Sequence, residues 1–181
     1  MQPAAHGRSR VAHDVKPLSK TECDAAVQIV KRDRRLKPLL AARYRAVLIE
    51  PNLHDPKRPG GEDVVVGLVD YDEGGSIVAL VDLDTKKVVG VEQTDAQFQL
   101  SDDERREAED LAGKDARVRR FVGRRRMNPL TRLYFPTHVP AAKSSHRHAI
   151  VFLRPTTSER RYAVVDLSDR KVVGVLDALV K

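Results

Sequence analysis

Two stretches of this chain are nearly the same. VALVDLDTKKVVGV occupies residues 78–91, and YAVVDLSDRKVVGV follows 84 positions later at 162–175. At the same offset, residues 66–69 align with 150–153, and the turn residues 70–76 align with 154–160. Internal self-similarity of this length indicates two copies of one domain. The repeat therefore requires one small fold to be built twice.

A second pair of matching segments lies upstream of each hairpin, at an offset of 82. Residues 18–36 align with 100–118, and each segment opens with Leu-Ser followed by Glu three positions after the Ser. Such a pattern predicts a helix start in which the Ser and the Glu cap each other's backbone N–H groups. In the first copy, apolar residues recur at helical spacing and predict one buried helix face. These residues are Cys23, Ala26, Val27 and Val30.

After each predicted helix come β-rich runs separated by turn residues. Strands are predicted at 46–50, 64–70, 77–82 and 87–92, and again at 132–135, 148–154, 162–166 and 171–176. Pro38 is expected to end or kink the chain after the first helix. One helix on a four-stranded antiparallel sheet, twice, is an α+β fold. The predicted organisation is a flexible tail at 1–16, a first α+β domain at 17–98 and a second at 99–181.

The excess positive charge lies in the second half of the chain. The net charge is +7, yet residues 1–99 hold 15 basic and 15 acidic side chains, which cancel. Six arginines fall within RVRRFVGRRR, and they form a candidate polyanion-binding patch. A solvated helix face with a basic end is the simpler interpretation. With 4% aromatic residues for base stacking, nucleic acid is an unlikely partner. The arginines of the patch are Arg117, Arg119, Arg120, Arg124, Arg125 and Arg126.

Composition places the chain in a reducing, aqueous compartment. No apolar run approaches the roughly 20 residues that span a membrane, so no membrane association is predicted. A single cysteine, Cys23, excludes an intrachain disulfide and is expected to be a small core residue. Few Asn and Ile among many Arg, Val and Ala suggest a GC-rich bacterial genome. We expect a cytoplasmic protein.

The helix starts and hairpins together resemble the two small N-terminal domains of copper amine oxidases. The matching stretches in the second copy are LSDDERREAEDLAGKDARVRR, HAIVFLRP and YAVVDLSDRKVVGVLD, and the similarity extends over roughly residues 13–178. The resemblance implies two cystatin-like domains in tandem. In those oxidases such domains accompany a large catalytic domain that carries three copper-binding histidines and a quinone formed from tyrosine.

The catalytic domain of that family has no counterpart in this sequence. The quinone precursor lies in an Asn-Tyr-Asp/Glu motif, and none of the four tyrosines here follows an asparagine: Tyr44, Tyr71, Tyr134 and Tyr162. No catalytic residue of the family can be assigned to this chain. Amine oxidation is therefore not expected, and whether the chain is an enzyme stays open, with a non-enzyme favoured.

Histidines supply the remaining candidates for chemistry. His54 and His138 occupy equivalent places before a proline in the two copies, and are weak candidates for an acid or base. His146 and His148 alternate on a predicted strand, so both imidazoles could reach one metal ion, with His138 and one carboxylate as further ligands. Copper or another metal is thus possible, although no cofactor is predicted. An exposed strand entrance rich in polar residues is the simpler interpretation.

The strand composition indicates surfaces that need partners. Residues 64–69 and 149–153 are apolar on both alternating faces, whereas a sheet covered by a helix on one side should be polar on the other. The outer faces are therefore expected to contact the other domain, a second copy of the chain, a partner protein or an apolar small molecule. The leading hypothesis is a binding or assembly module that forms a homodimer. The alternatives are a small metabolite-tailoring enzyme with a pocket between helix and sheet, and a polyanion-binding protein.

Overall fold

The computed structural model describes residues 17–40, 43–52, 63–72, 74–123, 129–136, 145–153 and 161–177. Within them the chain forms two α+β units, each with a four-stranded antiparallel sheet whose strands pair in chain order. The first unit consists of α1 (Lys20–Arg32), β1 (Tyr44–Pro51), β2 (Asp63–Asp70), β3 (Gly75–Asp82) and β4 (Lys87–Thr94). The second consists of α2 (Asp102–Lys114), α3 (Ala116–Val122), β5 (Leu130–Tyr134), β6 (His148–Leu153), β7 (Arg161–Asp166) and β8 (Lys171–Asp177). The α+β class and the two antiparallel sheets agree with the sequence-based expectation.

Both long helices begin with the predicted capping box. The hydroxyl oxygen of Ser19 accepts from the N–H of Glu22 at 3.2 Å, and the Glu22 carboxylate accepts from the N–H of Ser19 at 2.6 Å. The same reciprocal pair joins Ser101 and Glu104 at the start of α2. On α1, Ala26 and Val30 are fully buried against strands β2 and β3, while Cys23 is only partly buried.

The second unit contains one more helix than the repeat predicts. Asp115 ends α2 in an extended conformation and starts α3, because its carboxylate accepts from the N–H groups of Arg117 and Val118. In the first unit the corresponding residues 34–40 form turns. Pro38 lies where α3 has Arg120, and a proline there lacks the N–H donor that a continuing helix needs. The prediction of a single helix per unit is therefore wrong for the second unit.

The strand register corrects part of the repeat alignment. In the β2–β3 pair Val66 lies opposite Ala79, and in the β6–β7 pair Val151 lies opposite Ala163. Residues 63–69 thus correspond to their counterparts at an offset of 85 rather than 84, while β3 and β7 keep the offset of 84. Between equivalent paired residues the chain is one residue shorter in the second unit: Val66 and Ala79 are 13 positions apart, and Val151 and Ala163 are 12. A one-residue slip exchanges the two faces of a strand. With the offset of 85, the equivalent of Asp63 is His148, whereas the offset of 84 would give Arg147.

The repeated hairpins have the same turn geometry in both units. Lys86 and Arg170 each adopt a left-handed conformation with φ of 55°. A bulge follows, which leaves Val89 and Val173 unpaired and exposed. The predicted tight turn is confirmed.

The outer face of the first sheet is partly covered by the rest of the chain. Phe98, in the connection between the units, packs over Gly67, where an added Cβ would lie 3.0 Å from its ring. Val69 and Tyr71 share a buried cluster with Ala108 and Ala112 of α2. The expected contact between the two copies therefore accounts for part of the first unit's apolar outer surface. Among the described residues, no helix is long and apolar enough to cross a membrane.

Candidate functional site

His146 and His148, two of the candidate metal ligands, lie beside one buried carboxylate. Nδ1 of His146 donates to Oδ2 of Asp166 at 2.8 Å, and Nε2 of His148 lies 3.8 Å from the same oxygen. The two rings are 6.3 Å apart and nearly parallel. Asp169 adds a fourth polar group, with Oδ1 3.9 Å from Nδ1 of His146. We refer to His146, His148, Asp166 and Asp169 as the His–Asp cluster.

The sheet itself places these groups together. His148 opens β6 directly opposite Asp166, the last residue of β7, so their side chains lie on the outer face. Oδ1 of Asp166 accepts from the N–H of Asp169 at 2.9 Å and holds the following turn. In the first unit, Asp82 holds the N–H of Thr85 in the same way at 2.8 Å. The carboxylate that holds the turn is therefore common to both units. The imidazoles of His146 and His148 occur only in the second.

The hydrogen bonds of His148 fix which of its nitrogens carries a proton. Nδ1 lies 2.9 Å from the carbonyl oxygen of His146. Since a carbonyl oxygen only accepts, Nδ1 must be the donor. In the neutral ring Nε2 then presents a lone pair toward the Asp166 carboxylate. A bound cation between these two acceptors would satisfy both.

Arg147, between the two histidines, points to the opposite side of the strand and enters a buried ion pair. Its guanidinium donates to both carboxylate oxygens of Glu104, with Nη2 3.1 Å from Oε2, and also to the carbonyl of Phe98 at 3.0 Å. The hydroxyl of Tyr71 donates to Oε1 of Glu104 at 2.6 Å. We call Tyr71, Glu104 and Arg147 the junction triad, because it joins the first unit to the second.

Burial and charge act in opposite directions at the junction triad. Burial alone raises the pKa of Glu104, but the hydrogen-bonded Arg147 guanidinium outweighs it and holds that pKa below its ordinary value. Burial, and then the adjacent Glu104 carboxylate, raise the pKa of the Tyr71 hydroxyl. Glu104 therefore stays ionised and Tyr71 stays a neutral donor. This arrangement suits a structural lock between the units.

Two further arginines tie the first unit to the second. Arg43 donates to the carbonyl oxygens of Leu167 and Ser168, and its guanidinium lies 4.9 Å from the centre of the Tyr71 ring. Arg45 pairs with Glu107 at 3.0 Å. No local sequence pattern indicates these roles.

An Asp-x-Arg motif recurs in both units with the same bonds. Arg35 donates two side-chain hydrogen bonds to the Asp33 carboxylate and one to the carbonyl of Val88. Arg117 donates in the same way to the Asp115 carboxylate and to the carbonyl of Val172. The side-chain hydrogen bond from Arg117 lowers the pKa of Asp115 to about 2. The motif fastens the end of each helix to the last strand of its sheet.

The guanidinium of Arg117, in the candidate polyanion patch, is therefore hydrogen-bonded within its own unit. Arg119 and Arg120 are exposed on α3. The remaining arginines of the patch, Arg124, Arg125 and Arg126, lie outside the described residues, as do the candidate acid–base residues His54 and His138.

A groove of about 470 Å³ lies in the first unit between the end of α1 and the β3–β4 turn. Its charged residues are mostly basic. The groove is lined by Ile29, Arg32, Asp33, Arg35, Lys86, Lys87 and Val88. It borders the Asp-x-Arg motif and is separate from the His–Asp cluster.

Sequence reasoning found two members of the His–Asp cluster and expected one carboxylate ligand, but it did not identify Asp166 or Asp169 as that carboxylate. His146 and His148 stood out through their alternation, whereas Asp166 and Asp169 lay in a hairpin whose turn role explained them. Glu104 was assigned as a capping residue, and nothing local distinguished it from its counterpart Glu22.

No protein-family model matches the chain, and no curated protein matches it closely enough to be a relative.

Proposed function

We propose that this protein is a non-enzymatic assembly module, similar to the paired accessory domains that its helix starts and hairpins resemble. Its two units are fixed to each other by the junction triad, and it associates with a second copy of itself through the outer face of the second sheet. The observation that supports this function is the apolar character of that face.

The outer face of the second sheet is richer in large apolar groups than that of the first. Phe152 lies where the first unit has Gly67, and its ring meets Tyr162 edge to face at 5.4 Å. Leu130 and Leu176, on the flanking strands, are 42% and 47% exposed. Aromatic residues are enriched at protein interfaces, and contiguous exposed apolar surface marks interaction sites.

The duplication indicates what covers this face. The outer face of the first sheet is partly covered by Phe98 and the second unit, so each such sheet needs material on both sides. Among the residues that the structure describes there is no third unit to cover the second sheet. A second chain, related by a two-fold axis, would place the two faces against each other.

The space between helix and sheet is filled in both units, which favours a binding role over catalysis there. In the first unit Ala26, Val30 and Leu36 meet strand residues that are at most 6% exposed. In the second, Ala108, Ala112 and Val118 do the same. A pocket for a metabolite would require these cores to open.

The self-association hypothesis is tested by sedimentation velocity from 1 to 200 μM. The wild-type protein is expected to dimerise, and Leu130→Glu with Leu176→Glu is expected to yield monomers, because both carboxylates would be buried unpaired. Val89→Glu is the matched control, since Val89 is 50% exposed on β4 and lies off this face. A wild-type protein that stays monomeric throughout, or a control that dissociates equally, would contradict the proposal.

A second candidate function is divalent-cation binding at the His–Asp cluster. The specific support is the pair of acceptors, Nε2 of His148 and Oδ2 of Asp166, which face each other at 3.8 Å. One ligand atom each from His146, Asp166 and Asp169 lies within 4.8 Å of the others. Nitrogen and carboxylate donors suit Zn²⁺, Cu²⁺ or Ni²⁺.

Titration calorimetry with ZnCl₂ tests this second candidate. One ion per chain is expected, with at least a tenfold loss of affinity in the His146→Ala/His148→Gln variant. His54→Ala removes an imidazole from the other copy and serves as the control. Equal affinity in the wild-type and double-variant proteins would exclude the cluster as the site.

A further inference from the structure

The groove of the first unit carries cations without acidic partners. Within the described part of the chain, Arg32, Lys86 and Lys87 form no ion pair or hydrogen bond through their side chains. The one carboxylate that lines the groove belongs to Asp33, and Arg35 occupies both of its oxygens. The positive charge in this groove is therefore uncompensated.

The second unit contains the same set of residues at the equivalent positions. Each of the seven lining residues of the first-unit groove has a counterpart of the same chemical class. In order along the chain, these counterparts are Leu111, Lys114, Asp115, Arg117, Arg170, Lys171 and Val172. The chemistry of the groove is thus duplicated together with the fold.

The difference between the two units is that the second neutralises its cations internally. Lys114 pairs with Asp110 at 2.5 Å, Arg170 with Glu107 at 2.8 Å, and Lys171 with Asp169 at 2.8 Å. All three carboxylates are replaced in the first unit. The residues at those positions are Gln28 for Asp110, Ala25 for Glu107 and Thr85 for Asp169.

The cations of the first unit are also held by ordered structure. Lys86 occupies the left-handed position of a tight turn, and Lys87 begins β4. Arg35 is fixed by Asp33 and by the carbonyl of Val88. Ile29 and Val88 add apolar surface beside these groups. A groove that is already formed loses little entropy when it binds a ligand.

We propose that the first-unit groove binds a phosphate-bearing small molecule, with the phosphate between Arg32, Lys86 and Lys87 and an apolar part against Ile29 and Val88. Its volume of about 470 Å³ is within the range of roughly 300–1,000 Å³ of small-molecule sites. Cationic side chains that lack carboxylate partners are the groups that recognise phosphate. The second unit, with its paired cations, does not bind this ligand.

Three probes test the site, inorganic phosphate, inorganic pyrophosphate and phenyl phosphate, added to the ¹⁵N-labelled full chain at low salt. Amide shifts are expected around 29–35 and 85–88, with none around 111–117 and 169–172. Phenyl phosphate is expected to bind more tightly than inorganic phosphate, because its ring contacts the apolar part of the groove. Shifts confined to Arg119, Arg120 and their neighbours would instead indicate the patch on α3 and overturn the proposal.

The decisive variants introduce into the first unit two of the carboxylates that pair with cations in the second unit. They remove no cation. Gln28→Asp with Thr85→Asp is expected to weaken pyrophosphate binding at least tenfold. Both positions are exposed, so the fold should be unaffected. Gln93→Asp combined with Thr21→Asp makes the same change in net charge away from the groove, and is expected to bind as the wild type does. Equal binding by the two double variants would show that net charge alone attracts the anion. Dimerisation, measured separately, does not enter this result.

Discussion

The hydroxyl of Tyr71 donates to the carboxylate of Glu104 at 2.6 Å, and this single hydrogen bond connects the β2–β3 turn of the first unit to the first turn of α2 in the second. Both residues are buried, at 6% and 0% exposure. Glu104 also caps its helix and pairs with Arg147, so one carboxylate serves local and long-range structure together. Together with the bonds of Arg43 and Arg45, this carboxylate links the two units.

Substitutions in the junction triad are expected to differ in severity. Tyr71→Phe removes one hydrogen bond to a charged acceptor and should cost about 1.5–3 kcal/mol. Glu104→Gln leaves the Arg147 guanidinium buried without its counter-charge and should cost about 3–5 kcal/mol. Urea unfolding at pH 7 measures both free energies. A larger loss for Tyr71→Phe than for Glu104→Gln would contradict the assigned roles.

The pH dependence of stability is expected to reflect Glu104. Its pKa is lower in the folded protein than in the unfolded chain, so its contribution is complete above the unfolded pKa of about 4.3. The contribution is lost as the pH falls through the lower folded pKa. In Glu104→Gln this acid-side loss should be smaller than in the wild type, when both are followed by urea unfolding between pH 3 and pH 7.

The two Asp-x-Arg motifs provide a matched pair of variants. Asp115→Ala removes both the side-chain ion pair with Arg117 and the N-cap of α3. The cap alone contributes about 1 kcal/mol to stability. Asp33→Ala removes the side-chain ion pair with Arg35 and one hydrogen bond from the Arg35 backbone N–H, but no helix cap, because no helix starts there. We expect the larger loss of unfolding free energy for Asp115→Ala. Circular dichroism should show a loss of helix for that variant alone.

The close approach of Phe98 to the first sheet is expected to make Gly67 intolerant of a side chain. A Cβ at Gly67 would lie 2.9 Å from Cβ of Leu48 and 3.0 Å from the Phe98 ring. Gly67→Ala should therefore cost about 1–3 kcal/mol through overpacking. Gly174, also in a strand, has open space at its Cβ position and is the control. Thermal unfolding compares the two, and an equal effect at both sites would argue against the Phe98 contact.

The repeat made the second sheet predictable from the first, yet its exact register was not. Aligning the hairpins at an offset of 84 was right for β3 and β7, and wrong for β2 and β6, because the chain between equivalent paired residues is one residue shorter in the second unit. A single-residue difference in a turn is invisible in a run such as Val-Val-Val, because the apolar pattern fits either face. Only strand pairing shows that His148 and not Arg147 faces Asp166.

The sequence by itself determined the features that are formed by residues close together in the chain. The capping boxes at Ser19 and Ser101 and the tight turns at Lys86 and Arg170 need partners only a few positions away, so their patterns predicted them. The tertiary structure decided the rest. Glu22 and Glu104 have the same local motif, but only Glu104 is buried against Arg147 and Tyr71, which come from distant positions. Likewise, Lys86 and Arg170 share a turn conformation, and only Arg170 has a carboxylate brought to it by a helix. Charge pairing and burial between distant segments depend on how the sheets and units pack, and no local pattern carries that information.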